Sequence, residues 1–346
     1  MEAQQITLLF AGDAMQHQSQ IDNAYRNGIY DYSSYFKFLT EEISQADIAV
    51  VNLEVTLGGK PYKGYPMFSA PDEYAIALKE AGFNIFLNAN NHILDRFSKG
   101  LHRTLDILDS LNVKHTGVFR NIEERETLYP LIVEKKGVRI AFLNYTYATN
   151  GLSPTPPNHI NYIDKTLIQK DIQKAKKQKA DIIIANMHWG IEYKLIQNKN
   201  QEDIARFLID EGVDIVMGAH PHVIQPSKVI IDSTGTISNV IVYSLGNFVS
   251  AMTIDNSTGG QMVKIILDKK QNKTSIHSCK YMLHYTEKKN KGNKIDFSII
   301  PVLSAESGLI QLDPVNYKKM MRFANNARDI FSKYNESIEE YGTTRN

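Results

Sequence analysis

Two histidines one residue apart, in Gly218-Ala219-His220-Pro221-His222, follow directly on the apolar run 213–217. Imidazole is the commonest protein ligand for zinc and related divalent metals. On a turn stiffened by Pro221 the pair could serve one ion or two neighbouring ions. The plainer alternative is a pair of polar side chains in a surface loop. Gly218 is expected to free the backbone to turn there.

The same placement recurs along the chain. The apolar run 6–11 ends in Gly12-Asp13, with His17 close behind. A carboxylate just past a buried strand needs a partner, a capping role or a metal. The run 47–51 leads into Asn52-Leu53-Glu54, where alternation puts Asn52 and Glu54 on one face. The run 84–87 leads into Asn88-Ala89-Asn90-Asn91-His92, with Asp95 beyond. His188 follows the run 181–185 and stands beside Trp189, the one tryptophan, with Glu192 and Tyr193 next. Asn247 sits in Ser244-Leu245-Gly246-Asn247-Phe248.

In α/β sheets, ligands bind beyond the carboxyl ends of strands. The strand-end positions supply Asp13, Glu54, Asn91, His188, His220 and His222 as metal ligands. Carboxylate, amide oxygen and imidazole suit one or two divalent ions such as Zn, Mn, Fe or Mg. With one carboxylate bridging, such a set suits two ions about 3.5–4 Å apart, which activate water for hydrolysis. His92 adjoins Asn91 without needing to be a ligand, and stands where an acid could protonate a leaving group. The alternative for His92 is a purely structural bond to Asp95. Asn52, Trp189, Glu192, Tyr193 and Asn247 are expected to line the substrate pocket, although Trp189 could equally fill the core.

The elements that must position these residues are short buried strands alternating with helices. Helices are expected over 72–80, from about 98 to 110, from Asp164 as a cap through 178, and over 201–210. Hairpins are expected at 131–133 with 138–143, at 229–231 with 240–243, and at 262–267 with 275–281. The Gly- and Pro-rich loop 61–71 lies near a strand end and could shape the pocket. The loop 150–158 is expected to divide two βα-rich halves, and 314–341 reads as a charged helical tail with a break near Asn325 and Asn326.

The chain has 346 residues and a formal net charge of +1, with Cys279 its one cysteine. That balance gives no reason to expect nucleic acid as a partner. A lone cysteine excludes an intrachain disulfide and fits a reducing compartment. The first residues show neither a basic region nor an apolar signal core, and no stretch is apolar enough to span a membrane. A soluble, cytoplasmic protein is the expectation, unless an N-terminal signal or anchor has been trimmed.

In this order the motifs FAGDAM, VNLEVT, NANNHILD, MHWGIEY, GAHPHVIQP and YSLGNF resemble the CapA family of capsule or poly-γ-glutamate synthesis proteins, within the calcineurin-like metallophosphatase superfamily. The resemblance covers roughly 6–250. It implies a four-layer α/β/β/α sandwich with two mixed β-sheets; residues 1–310 are expected to form the domain and 311–346 a helical tail packed on it or extending from it. It also implies that Asp13 and His222 hold one ion and that Asn91, His188 and His220 hold the other, with Glu54 between. Two positions depart from the superfamily pattern: Met15 stands where a histidine is usual, and Glu54 where aspartate is usual. The readings that follow are a metal-dependent hydrolase acting on a phosphoester or a polyglutamate-like amide, and a non-catalytic accessory protein that binds an anionic polymer or a partner.

Overall fold

The computed structural model describes residues 4–271, 273–292 and 294–342. Among these, a 15-stranded mixed sheet runs through the whole molecule. One half is parallel, in the order Lys114–Thr116, Ile85–Leu87, Ile48–Leu53 and Gln4–Ala14. The antiparallel strands Gly259–Lys270 and Lys273–Lys291 continue it. The other half is built on the parallel strands Ile237–Val242, Ile215–Ala219, Ile182–His188 and Val138–Thr146, edged by Leu131–Lys135. The pairing of Ile237 with Ile276 joins the halves.

Strand alternation makes layers of these halves. Leu8 and Phe10 of the first half share one core with Ile140, Phe142, Ile182 and Ile184 of the second. The intervening residues face outward. Leu9 and Ala11 pack with Tyr74, Leu78 and Leu108 from the helices Asp72–Glu80 and Phe97–Ser110. Ala141, Ile183 and Ala185 pack with Ile168, Ile172, Ile204 and Leu208 from the helices Lys165–Lys177 and Lys199–Asp210. The result is helix, sheet, sheet, helix. Strands buried on both faces explain why these runs read as continuous apolar stretches.

Local chemistry ends the helices where the sequence indicates. Asp164 accepts a hydrogen bond from the Leu167 amide at the N-cap, and Asn198 caps the next helix through the Gln201 amide. Three expectations are corrected. The hairpin strand Val138–Thr146 pairs along its length with Ile182–His188, so the boundary between halves falls before it and not at 150–158. The C-terminal helix Pro314–Tyr334 is unbroken at Asn325 and Asn326; its apolar stripe of Met320, Phe323, Ala324, Ala327 and Phe331 packs into the central core. Gly218 lies inside the strand Ile215–Ala219, where it makes no turn. A Cβ there would stand 1.9 Å from the Tyr243 carbonyl oxygen, so glycine permits a close backbone approach.

Candidate metal centre

Both parallel sheet halves deliver their carboxyl ends to one place. Register puts Asp13 opposite Asn52 and Asn247, and His188 opposite Ala219 and Thr146. The strand Gln4–Ala14 is irregular between Ala11 and Asp13. There Gly12 lets the chain pass the Gly246 carbonyl, where a Cβ would come within 1.9 Å. His220 and His222 both have positive φ, 98° and 57°. Such a backbone is costly for residues other than glycine and is held where the surroundings over-determine it. Here those surroundings include the His220 amide bonded to Asp13 Oδ2 at 3.2 Å and the Tyr193 amide bonded to the Pro221 carbonyl at 2.8 Å.

Asp13, Glu54, Asn91, His188, His220 and His222 are all buried and all converge. His188 Nε2 lies 2.8 Å from Asn91 Oδ1 and 3.6 Å from Glu54 Oε1. His222 reaches Asp13 Oδ2 through Nδ1 at 3.1 Å and Glu54 Oε1 through Nε2 at 3.7 Å. Two groups place their ligand atoms within 4.8 Å of one another: Glu54, His220 and His222, and Asp13, Glu54 and His188. Glu54 is common to both. The pairs the resemblance implies are also close: His222 Nδ1 lies 3.1 Å from Asp13 Oδ2, and the His188 and His220 rings lie 4.8 Å apart.

The donors fit divalent cations. Both Glu54 oxygens and His220 Nδ1 are buried without a hydrogen-bond partner. Orphaned buried carboxylate oxygens are rare, because desolvating them without compensation is costly. Burial first, and the Asp13 charge second, push the Glu54 carboxyl well above its ordinary range. Burial pushes His188 well below its usual value and His220 down to about 3, with neighbouring imidazoles adding to each. Both rings are therefore neutral at physiological pH, the form that ligates. For Asp13, burial acts upward, but the His222 ring and the Asn52 amide outweigh it and hold the carboxyl at about 2.

Other residues expected here fall into two kinds. Asn52 and Asn247 are fully enclosed and bond to the clustered side chains. Asn52 Nδ2 donates to Asp13 Oδ1 at 2.7 Å and lies 3.2 Å from His188 Nδ1. Asn247 Oδ1 faces His222 Nδ1 at 3.1 Å, while its amide nitrogen donates to the Ser257 carbonyl at 2.9 Å. Such outer partners fix ring orientation. Glu192 and Tyr193 lie at the exposed rim, the Tyr193 ring 6.1 Å from that of His222. Trp189 is the correction. It follows His188 and so turns to the opposite face, where it is 1% exposed, packs with the helix-side core and donates from Nε1 to the Tyr243 carbonyl at 2.9 Å.

His92 Nδ1 is bound to Asp95 Oδ2 at 2.8 Å, and Asp95 also accepts from the Phe68 amide at 2.7 Å. The Phe68 ring packs edge-on against His92 at 4.6 Å. Thus the Gly- and Pro-rich loop expected near the pocket does reach it, through Phe68. His17 is the N-cap residue of the helix Gln18–Ala24, and its Nδ1 meets Gln20 Oε1 and the Ala251 amide, each at 3.3 Å. Sequence reasoning missed Tyr147, whose ring lies 4.5 Å from that of His220, and Asn150, which accepts from Asn91 Nδ2 at 3.1 Å. The signal for Tyr147 was its place at the end of Val138–Thr146, beside the strand carrying His188.

Residues 7–252 match the family described as bacterial capsule synthesis protein PGA_cap. The chain belongs to that family. Among PGA_cap relatives, the capsule biosynthesis protein CapA of Bacillus anthracis is 30% identical over 261 residues, 72% of this chain and 60% of that protein. The PGA biosynthesis protein CapA of Bacillus subtilis is 34% identical over 176 residues, 50% of this chain and 44% of that protein. The matched stretches thus span about half the length of these curated relatives. Among solved structures, the calcineurin-like phosphoesterase YfkN from Bacillus subtilis aligns over 94% of this chain and 98% of its own, with TM-score 0.52 and 13% identity. The NAD nucleotidase NadN of Haemophilus influenzae aligns over 99% of this chain and 58% of its own, with TM-score 0.53 and 14% identity. At these identities the likeness is one of fold, and the fold is the metallophosphatase sandwich. Among the described residues, no helix is long and apolar enough to cross a membrane.

Proposed function

We propose that this PGA_cap protein is a metal-dependent hydrolase in capsule or poly-γ-glutamate synthesis or processing, with Glu54 shared between two divalent ions. The observation that carries this reading is the pair of Glu54 oxygens, buried and unpartnered at the junction of two ligand groups. Bound ions would supply Lewis acidity and an activated water. Asp13, Asn91, His188, His220 and His222 would hold them, and Asn52 and Asn247 keep Asp13, His188 and His222 in register. His92, oriented by Asp95 through Nδ1, leaves Nε2 to hold or deliver a proton to a departing group. Tyr193 and Glu192 form the rim that a small-molecule or anionic polymer substrate would pass.

The second reading is an accessory protein that binds polymer or a partner while its metal is structural. It is favoured by Met15, which is 1% exposed where the resemblance places a ligand histidine. Metal analysis of the purified protein, followed by turnover assays on phosphoesters and γ-glutamyl amides, separates the readings. Metal with turnover supports the hydrolase; stoichiometric metal with no turnover on any of these substrates supports the accessory protein.

A further inference from the structure

Away from the metal centre, the loop 251–258, the strand Lys273–Lys291 and the helix Pro314–Tyr334 enclose a cavity of about 190 Å³. Its cationic lining is Lys288, Lys319 and Arg322, and its one acid is Asp255, which is already paired with Arg322. Lys319 makes no ion pair among the described residues, and Lys288 Nζ donates only to the Ala251 and Met252 carbonyls, at 2.7 and 2.6 Å. Two lysines thus line one cleft, and neither is paired with a carboxylate among the described residues. Burial first, and Lys319 second, bring Lys288 down to about 8. The wall also holds Thr286, which is 1% exposed and whose hydroxyl oxygen has no hydrogen-bond partner. A buried hydroxyl without a partner is a polar group that a ligand or water would satisfy. Tyr285 and Phe323 supply an apolar side to the same space.

We propose that this cleft binds a small carboxylate, an anionic head on a short apolar stem of about amino-acid size. The head neutralises the Lys288–Lys319 pair and accepts from the Thr286 hydroxyl, while the stem lies against Phe323. Available charge favours a carboxylate over phosphate. The third cation, Arg322, is already matched by Asp255, and a bidentate arginine fork is the usual partner for phosphate. The loop that lines the cleft also gives the Ser257 carbonyl to Asn247, which holds His222.

Isothermal titration of the intact protein with glutarate tests the proposal, with inorganic phosphate as the second probe. The expected result is saturable binding of one glutarate per chain, weakened about fivefold or more in Thr286→Val and in the surface variant Lys319→Glu, and unchanged in His220→Ala. The Thr286→Val change is nearly isosteric, so its fold is checked by an unchanged melting temperature. Absence of saturable binding overturns the proposal, as does binding indifferent to both cleft variants. Loss of binding in His220→Ala assigns glutarate to the metal centre and overturns it, and phosphate binding as tightly as glutarate overturns the carboxylate assignment.

Discussion

Glu54→Gln should change the protein's stability in opposite directions with and without metal. In the metal-free fold, both Glu54 oxygens are buried and unpartnered beside Asp13. An unsatisfied buried polar group costs about 1–3 kcal/mol, more if charged. The amide keeps the shape and is itself unsatisfied there, so what it removes is the extra cost of the charged form, taken as about 1–3 kcal/mol. With about 2 cal/mol/K of unfolding entropy per residue over 346 residues, the metal-stripped variant should melt about 1–4 °C above the wild type. With saturating metal the order inverts, because ion binding to the native state adds about 4 kcal/mol at a thousandfold excess over Kd, and Glu54→Gln weakens that binding. The pH dependence follows. The folded state raises the Glu54 carboxyl above its ordinary 4.5, so in the metal-free protein the cost is present at neutral pH and is gone once pH falls to about 4.5. The advantage of the variant in chelator should therefore close toward pH 4.5. Differential scanning calorimetry in chelator and in added Mn or Zn reads all of this. A variant that melts lower than wild type in chelator at pH 7.5 would show that the Glu54 carboxylate is already satisfied without metal, and the reasoning fails.

His92→Ala should retain bound metal and lose about a hundred- to ten-thousand-fold in turnover, measured by metal analysis and by assay on any substrate the wild type accepts; loss of metal would make the Asp95–His92 bond a purely structural prop. His284 is a separate acid-labile point: its ring is fully buried, neither nitrogen has a partner, and burial lowers it to about 3. The neutral ring's contribution is fully present above 6.5 and is lost as pH falls toward 3, reaching about 2 kcal/mol by pH 5. His284→Leu should remove that loss, so the stability difference between pH 7.5 and pH 5 in urea titrations should shrink by that amount relative to wild type.

The convergence of these side chains was legible where a strand end and a side-chain type coincided. Asp13, Glu54, Asn91, His188, His220 and His222 each follow a doubly buried strand, and the parallel register brings those ends together. Alternation carried Asn52 and Glu54 correctly to one face, and the same rule, applied one residue past His188, would have sent Trp189 into the helix-side core. What the sequence does not show is which polar side chains bond to one another in the cluster. Asn52 and Asn247 differ from Asn91 only in what stands across from them. The role of Gly218 was hidden for a similar reason: the Tyr243 carbonyl that crowds it comes from another strand connection. The cleft beside Lys288 depends on a loop and a helix far apart in the chain, so no local pattern announces it.

The most direct test of the shared-carboxylate centre is anomalous diffraction from crystals of the protein grown with Mn or Zn. Two peaks about 3.5–4 Å apart, astride the Glu54 carboxylate and reached by His188, His220, His222 and Asp13, are the predicted result. A single peak that Glu54 does not touch, or no peak within reach of these side chains, would contradict it.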